Sequence, residues 1–528
     1  MGLNGGIEGL IFEKSVPGRR GFSIPESDVP LKAEMPVKYK RAEECALPEL
    51  TELEVVRHYT RLSQQNFCID TNFYPLGSCT MKYNPKFTES LARLPGFMNL
   101  HPLLPQLQPG GILTHSTSLR VNPESFDSAQ DGERVKRVEL QAKCAEGLTQ
   151  GALQVLYEMD RLLCEMTGMD HFTMQPLAGA HGELTGVMLI AAYHKAKGNK
   201  KKYIIIPDSA HGTNPASAAI AGYEIISLPS NKDGVWDISR LKENLNDQVA
   251  AVMLTCPDTL GIFNSEIDKI SKMVHDVDGL MYYDGANLNA ILGRCRPGDI
   301  GFDIMHLNLH KTFTTPHGGG GPGAGPVGVK ENLAKFLPVS RVVKRKDGTY
   351  SLDYDYPDSI GYIASLYGNF ALILRAYAYI LMLGKEGLIE TSNHAVLNAN
   401  YVMSRLKDRY HLPYDRICMH ECVFSALNQA ERGVHATDIA KYLIDQGIHP
   451  PTIYFPLVVK ESVMIEPTET ESKKTMDEFI QVMVDVDELS KKNPQFFKDL
   501  PKTTPVTRPD EVKAARDLDT NFFSHPPK

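Results

Sequence analysis

The sequence is poor in features that would tie its fold to disulfide bonds or to a structural zinc ion. Nine cysteines are scattered over 528 residues, and none of them forms a C-x-x-C pair. The two closest, Cys418 and Cys422, have no cluster of His and Cys beside them at zinc spacing. An odd number of scattered cysteines is typical of free thiols in a reducing compartment. We therefore expect neither a disulfide framework nor a metal centre.

The chain also lacks a block of positive charge. Its 56 Lys and Arg against 64 Asp and Glu give a formal net charge of −8, with no basic run that could follow a phosphate backbone. No charged segment leads into an apolar run after Met1, so no secretory signal is expected. These absences argue against nucleic-acid binding and secretion and favour a cytoplasmic protein.

A membrane span is not expected either. Residues 360–383 are strongly apolar, but they contain Asn369 and, near the centre, Arg375. A charged side chain in the middle of a span is costly. The stretch therefore predicts a long buried helix leading into a second domain, in a chain whose 42% hydrophobic and 23% charged residues are ordinary for a globular enzyme.

Short apolar segments alternate with helical patterns through the middle of the chain. Five strands are predicted at 203–207, 224–228, 250–255, 280–284 and 303–307. Helices are predicted at 150–166, from Gly179 onward, and from a capping box at Ser265 and Asp268 to about Val277. This alternation predicts an α/β fold with a mostly parallel sheet covered on both faces.

The pattern divides the chain into four predicted segments. They are an N-terminal arm with a helix at 49–62 (1–70), a large domain (71–365) with a polar insertion at about 109–143, a smaller α+β domain (366–495) and a poorly ordered tail (496–528). Within the large domain, residues 74–85 are rich in Gly, Ser, Thr, Asn and Pro, which predicts a loop. Its polar side chains could serve a site or merely connect two elements.

Polar residues follow several of these strands where each one ends, the edge at which such sheets bind ligands. Lys311, after the strand 303–307, is a candidate for a Schiff base with pyridoxal phosphate, and Asp284 would hold the pyridinium nitrogen in its protonated form. Ala286 and His211 would lie on the two faces of the ring, and Thr255 is a further candidate contact. Each of these residues also has a purely structural interpretation, as a turn, a cap or a surface charge.

Two further stretches suit the same cofactor. Gly179, Ala180 and His181 open a helix, and free N–H groups at a helix N-terminus favour a phosphate. His310 and His317 flank Lys311 and are additional candidates, each of which could be only structural. The glycine-rich run 318–325 lacks the Gly-Lys-Ser/Thr of a nucleotide-binding loop, so it does not predict a nucleotide site.

Several long motifs resemble the P-protein family of the glycine cleavage system, in particular subunit 2 of its two-subunit form. The matching stretches are found at 75–82, 175–183, 207–216, 308–313, 316–323 and 464–471, and the resemblance extends over nearly the whole chain. The polar insertion at about 109–143 is the departure from this pattern.

The resemblance implies a fold-type-I, aminotransferase-like pyridoxal-phosphate enzyme with Lys311 as the Schiff-base lysine. It implies decarboxylation of glycine, with release of CO2 and transfer of the aminomethyl group to the lipoyl arm of H-protein. It also implies a partner, the homologous subunit 1, in an α2β2 assembly. A free-standing amino-acid decarboxylase that uses no lipoyl protein is the alternative.

Overall fold

The computed structural model describes residues 8–23, 25, 29, 36–43, 45–104, 147–316, 323–365 and 367–520. The predicted polar insertion at about 109–143 and the candidate residue His317 lie outside them. The described part of the N-terminal arm contains two short 3-10 helices, Ile11–Lys14 and Val37–Tyr39.

Thirteen α-helices lie in this described part of the chain. They are α1 (Glu52–Gln64), α2 (Lys86–Ala92), α3 (Pro95–Met98), α4 (Gln150–Thr167), α5 (Gly179–Lys197), α6 (Thr213–Ile220), α7 (Ile238–Asn244), α8 (Ile267–Asp276), α9 (Phe370–Leu406), α10 (Leu427–Ala430), α11 (Ala436–Asp445), α12 (Lys473–Lys492) and α13 (Glu511–Arg516).

The same residues contain twelve strands. They are β1 (His171–Thr173), β2 (Tyr203–Pro207), β3 (Glu224–Leu228), β4 (Val249–Thr255), β5 (Leu280–Gly285), β6 (Ile304–Leu307), β7 (Val327–Val329), β8 (Arg341–Lys344), β9 (Tyr350–Asp353), β10 (Cys422–Ser425), β11 (Thr452–Ile453) and β12 (Ser462–Ile465). Strands β8 and β9 form a separate two-stranded hairpin.

A seven-stranded sheet with the order β1-β7-β6-β5-β4-β2-β3 organises the larger part of the chain. All neighbouring pairs from β6 to β3 are parallel, and β7 runs antiparallel to both of its neighbours. The five strands predicted from the sequence, β2 to β6, are confirmed to within one residue at each end. The mostly parallel sheet of the predicted fold class is therefore present.

Both faces of this sheet are covered, which explains why its strands are apolar without alternation. In β2, Ile204 and Ile206 pack into the hydrophobic cluster that includes Val187 of α5. Ile205 points to the other face and joins the larger cluster with residues of α4, α8 and α9. Adjacent residues of one strand thus enter two separate cores.

The predicted capping box at the start of α8 is wrong. The helix begins at Ile267, its N-cap is Glu266, and no side chain caps it. Ser265 therefore stands one residue too early to act as the N-cap. Instead, Oδ1 of Asn264 accepts a 3.0 Å hydrogen bond from the Glu266 N–H and turns the chain into the helix.

Helix α9 joins two segments that the sequence predicts separately, at 360–383 and near 391–409. It begins only at Phe370 and bends at Gly384, whose φ of 60° and ψ of −173° are not helical. Arg375 lies on this helix and makes a two-pronged ion pair with Glu89 of α2. In the described part of the chain, no helix has the length and apolar character needed to cross a membrane.

A three-stranded antiparallel sheet, β10-β12-β11, forms the second layer, packed with α11 and α12. The predicted start of α12 is confirmed, because the Ser472 side chain caps it by accepting from the Thr475 N–H. In the described part of the predicted tail, Arg508 pairs with the buried Asp438 and α13 follows. The domain boundaries themselves stay predictions.

Candidate cofactor site

Asp284 is the buried carboxylate at the carboxyl end of β5. Its Oδ2 accepts a 2.9 Å hydrogen bond from Asn214, and its Oδ1 accepts one of 3.1 Å from the Ala286 N–H. Burial opposes ionisation, but His306, Asn214, the Ala286 N–H and Lys311 outweigh it, so the pKa of Asp284 lies below its usual range. The site therefore presents a fixed negative charge.

His306, on the neighbouring strand β6, lies next to this carboxylate. Its Nε2 lies 3.3 Å from Oδ1 of Asp284, and its Nδ1 lies 2.9 Å from the Tyr282 hydroxyl. Burial lowers the pKa of His306, so the ring is neutral at pH 7. The tautomer in which Nδ1 accepts from the Tyr282 hydroxyl keeps the proton on Nε2, which lies near Oδ1 of Asp284 but makes no hydrogen bond to a described residue.

A second carboxyl, Glu183 of α5, lies beside Asp284. It accepts hydrogen bonds from Thr213 at 2.8 Å and from Asn214 at 3.1 Å, so Asn214 donates to both carboxyls. Burial and the nearby Asp284 charge raise the pKa of Glu183 to about 7. One carboxyl of the pair is therefore firmly ionised and the other is poised to hold a proton.

The N-terminus of α5 forms an open anion site. Its N-cap, Ala178, offers no side-chain acceptor, and both Ala178 and Ala180 are exposed. Gly179 lies so close to Asn308 that an added Cβ would come within 2.4 Å of Oδ1, and one at Gly325 would come within 2.1 Å of the Ala178 carbonyl. The glycines allow strand, loop and helix N-terminus to meet.

Lys311 lies in the turn that follows β6, where its N–H donates to the Asn308 carbonyl at 3.0 Å. Its charge acts on Asp284, Glu183 and His211, which places it among the predicted site residues. The neighbouring His310 packs against Gly323, at the described end of the glycine-rich run.

The remaining predicted residues surround this centre. Thr255 pairs with Asp284 in the β4–β5 register, and its buried hydroxyl has no hydrogen-bond partner among the described residues. His211 follows β2, is exposed, and bonds to Thr213 at 2.8 Å. The Nδ1 atom of His181 accepts a 3.2 Å hydrogen bond from the Leu177 N–H. It therefore carries no proton that it could donate to a ligand.

The residues that flank β10 and β12 form a second buried polar group, which we call the wall. It consists of His420, Glu421 and Glu466, all buried, with one polar atom of each within 4.8 Å of the others. The Lys311 charge reaches all three. The Lys311 charge therefore acts both on Asp284 and on this second buried group.

These residues fit pyridoxal phosphate. The uncapped helix N-terminus suits its phosphate, the ionised Asp284 suits a protonated ring nitrogen, and Lys311 suits its aldehyde. The orphaned Thr255 hydroxyl adds a buried polar atom that a ligand could satisfy. Such a set of groups can hold an anionic, electron-accepting aldehyde.

Sequence reasoning assigned no role to several residues of this site. Glu183, Asn214 and His306 stand inside the motifs or beside the lysine that pointed to the cofactor, so a search for polar residues in those motifs would have found them. Glu421 has no such signal in the sequence, because only folding brings β10 to Lys311.

Family models match most of the folded chain. The model described as glycine cleavage system P-protein matches residues 144–351, and the model described as glycine dehydrogenase, C-terminal domain matches residues 391–495. Among solved structures, a glycine decarboxylase (P-protein) of the glycine cleavage system in inhibitor-bound form aligns with a TM-score of 0.65 at 18% identity, covering 86% of this chain and 93% of that one. The sphingosine-1-phosphate lyase of Burkholderia pseudomallei K96243 aligns with a TM-score of 0.53 at 12% identity, covering 94% and 98%.

At these identities the structural likeness shows the fold, and it confirms the predicted fold-type-I architecture. The sequence relatives are much more similar. A probable glycine dehydrogenase (decarboxylating) subunit 2 from Caldanaerobacter subterraneus subsp. tengcongensis is 52% identical over 511 residues, which cover 96% of this chain and 97% of the relative. A relative of the same name from Bacillus velezensis is 50% identical over 518 residues, 97% of each chain. The chain therefore belongs to the family of glycine dehydrogenase (decarboxylating) subunit 2, the P-proteins of the glycine cleavage system.

Proposed function

We propose that this chain binds pyridoxal 5′-phosphate through Lys311 and decarboxylates glycine, releasing CO2 and passing the aminomethyl group to the lipoyl arm of H-protein. This is the activity of glycine dehydrogenase (aminomethyl-transferring, decarboxylating). The observation that carries the proposal is the buried, ionised Asp284, hydrogen-bonded by Asn214 and close to His306, at the sheet edge that is followed by Lys311.

Each site residue has a proposed task. When bound, pyridoxal phosphate supplies an electron sink for the pair of electrons left by CO2. Asp284 fixes the positive charge of the ring nitrogen, and the N–H groups of Gly179, Ala180 and His181 hold the phosphate. Lys311 offers the amine that exchanges with the amino group of glycine.

The residues around the ring limit its motion and its contact with water. Ala286 and His211 would flank the ring faces, and Thr255 and His310 would contact its edge or its phosphate. Glu183 is suited to hold or return a proton near pH 7, because its pKa is raised to about 7. Removing water from a substrate carboxylate favours the release of CO2, and the burial of the groups around Lys311 suits a site that excludes water.

The partners follow from the family. Relatives named subunit 2 support a homologous subunit 1 as the partner, for which we propose an α2β2 assembly in the cytoplasm. The oxidised disulfide of a lipoyl arm would accept the aminomethyl group, so the redox centre lies on H-protein and no cysteine of this chain is required.

The test uses the full chain produced together with subunit 1. Wild type should develop the absorption band of a lysine–pyridoxal phosphate Schiff base, and Lys311→Ala should not. Lys330→Ala is the matched control, because Lys330 is a partly buried lysine that binds the Gly168 carbonyl outside the site. Wild type without such a band would refute the lysine assignment.

Exchange of labelled CO2 into glycine then separates the two candidate activities. The proposed function requires that exchange depend strongly on lipoylated H-protein. Equally fast loss of CO2 without H-protein would instead identify a free-standing amino-acid decarboxylase.

A further inference from the structure

Lys82 is a fully buried lysine directly behind the turn that carries Lys311. Its Nζ donates to the carbonyl of Thr312 at 2.8 Å and to Oε1 of Glu469 at 2.6 Å. The Lys82 and Glu469 side chains are only 1% and 9% exposed. The ammonium also lies 5.6 Å from the centre of the Tyr379 ring of α9. Lys82 thus joins the residue after Lys311 to the segment that follows β12.

This lysine is charged in its buried position. Burial alone would lower the pKa of Lys82, but the Glu469 carboxylate and the Tyr379 ring outweigh burial and raise that pKa. A buried ion pair is a poor source of stability compared with apolar packing of the same volume. Its presence beside Lys311 therefore calls for another role than stability.

The neighbours of Lys82 fix the same turn a second time. The Thr314 hydroxyl donates to the Tyr83 carbonyl at 2.6 Å and accepts from the Asn84 amide at 3.2 Å. The Tyr83 N–H in turn donates to the Thr470 hydroxyl at 3.3 Å. Residues 82–84 are therefore inserted between the Lys311 turn and the segment 466–470.

The three segments also share an unusual backbone. Ser78, Thr80, Thr314 and Thr468 have φ values of 67°, 51°, 51° and 67°. A positive φ is rare for a β-branched residue, and strained residues persist where the surrounding contacts over-determine them. The strain is concentrated where the loop 74–85, the Lys311 turn and the segment after β12 meet.

We propose that Lys82 is a positioning residue for Lys311. Through the Thr312 carbonyl it fixes the Lys311 turn to the segment that carries Glu466 and Glu469, so that the Lys311 amine keeps its place within the electrostatic reach of both Asp284 and the wall residues Glu421 and Glu466. The inference rests on the proposed role of Lys311 as cofactor lysine. It adds a residue from the loop 74–85, which the sequence left open between a connector and part of a site.

The test must separate positioning from stability, and the ion pair allows this. Lys82→Met removes the donor to Thr312 and leaves the Glu469 charge buried without its partner. Glu469→Gln leaves the Lys82–Thr312 hydrogen bond in place but unpairs the lysine charge. The double variant removes both charges, which relieves the uncompensated burial while the Thr312 carbonyl still lacks its donor.

Two quantities are measured on the full chain produced with subunit 1. One is the thermal midpoint without cofactor. The other is the rate at which pyridoxal phosphate forms its Schiff base, followed by absorbance as a function of pH. We expect both single variants to lower the midpoint and the double variant to regain much of the loss. We expect Schiff-base formation to slow by about 10-fold or more in Lys82→Met and in the double variant, since small misplacements of a reacting group are costly. It should change much less in Glu469→Gln, because the side-chain amide oxygen at this position can still accept from Lys82 and keep both ends of the bridge.

The outcomes decide between the two roles. A rate that follows the midpoint across all three variants would show that Lys82 is only structural and would overturn the proposal, as would a normal rate in Lys82→Met. If Lys82→Met does not fold, the double variant decides alone. A slow rate together with a thermal midpoint near that of wild type supports positioning, and a normal rate overturns it. Wild type that forms no Schiff base would instead refute Lys311 as the cofactor lysine, and this inference with it.

Discussion

The amide nitrogen of Asn214 donates a 2.9 Å hydrogen bond to Oδ2 of Asp284, and the same nitrogen lies 3.1 Å from Oε2 of Glu183. One side chain thus supplies both of its N–H donors to two neighbouring carboxyls. This arrangement keeps Asp284 ionised while Glu183 titrates beside it.

Replacing Asn214 should weaken the cofactor site without unfolding the protein. A hydrogen bond to a charged group contributes about 1.5–3 kcal/mol, so we expect Asn214→Ala to raise the dissociation constant of pyridoxal phosphate by about 10-fold or more. Absorbance titration with the cofactor measures this. Asn244→Ala, which removes an exposed amide on α7, is the control and should bind as wild type does. Unchanged affinity in Asn214→Ala would show that Asp284 needs no amide support.

Glu183 should make the stability of the cofactor-free protein depend on pH. Its pKa rises from 4.5 in the unfolded chain to about 7 in the folded one, so the folded state binds the proton more tightly. Stability from this group is complete below pH 4.5 and is lost as pH rises through about 7. The difference of about 2.5 pKa units corresponds to at most about 3.4 kcal/mol.

Glu183→Gln should remove this loss. We expect the difference in thermal midpoint, variant minus wild type, to become larger as the pH rises from 5 to 8. The exposed Glu165 of α4, changed to Gln, serves as the control and should show a flat difference. A flat difference for Glu183→Gln as well would mean that the carboxyl is ionised throughout this range.

The sequence predicts one half of the site better than the other. Asp284, Ala286, Thr255 and Lys311 are found together as expected, because the carboxyl ends of neighbouring parallel strands meet at one edge of a sheet. Local signals therefore located them. Their proposed roles as cofactor contacts are still predictions.

The wall could not be predicted in this way. Glu421 and Glu466 lie on or next to antiparallel strands of another sheet, and their approach to Lys311 depends on how the two sheets pack. Lys82 reaches the site from a loop without regular structure. Nothing in the periodicity of a sequence encodes such contacts, since they depend on the tertiary packing of distant segments.

Glu421 and Glu466 should respond differently to the same substitution. Glu466 accepts hydrogen bonds from the Thr80 N–H and hydroxyl, Asn287 and Asn289, whereas Glu421 accepts one from the Ser78 N–H. Burial raises the pKa of both carboxyls. That of Glu421 rises well above its usual range because the Glu466 charge adds to burial, whereas the hydrogen bonds and the Lys311 charge oppose the rise for Glu466. Of this pair, Glu466 should therefore carry the charge and Glu421 the proton.

Infrared spectra of the cofactor-free protein at pH 7 can show this directly. The carbonyl band of neutral carboxylic acids, to which Glu183 also contributes at pH 7, should lose its Glu421 component in Glu421→Gln, with little loss of thermal stability. Glu466→Gln should instead destabilise the protein by about 1–3 kcal/mol, because its new amide faces donors that need an acceptor. If Glu421→Gln instead lost the bands of an ionised carboxylate, Glu421 would carry the charge and the assignment would be contradicted.

Gly179 should be essential for recognition of the phosphate group. A Cβ at this position would lie 2.4 Å from Oδ1 and 2.9 Å from Cγ of the buried Asn308, so Gly179→Ala must displace either Asn308 or the first turn of α5. Loss of one charge-assisted hydrogen bond from that turn corresponds to about 10-fold or more in affinity. We therefore expect Gly179→Ala to weaken binding of pyridoxal phosphate but to leave the weaker binding of pyridoxal, which has no phosphate, nearly unchanged.

The matched control is Gly151→Ala in α4, where the nearest atom to the new Cβ is Phe97 Cε1 at 3.8 Å. Alanine in a helix is favoured over glycine by about 0.5–1 kcal/mol, so this variant should be as stable as wild type or slightly more so, with normal affinity for both ligands. Equal weakening of pyridoxal and pyridoxal phosphate by Gly179→Ala would show that the helix N-terminus orders the whole pocket. Phosphate recognition would then have to come from other residues, because a helix N-terminus that holds the phosphate must discriminate between these two ligands.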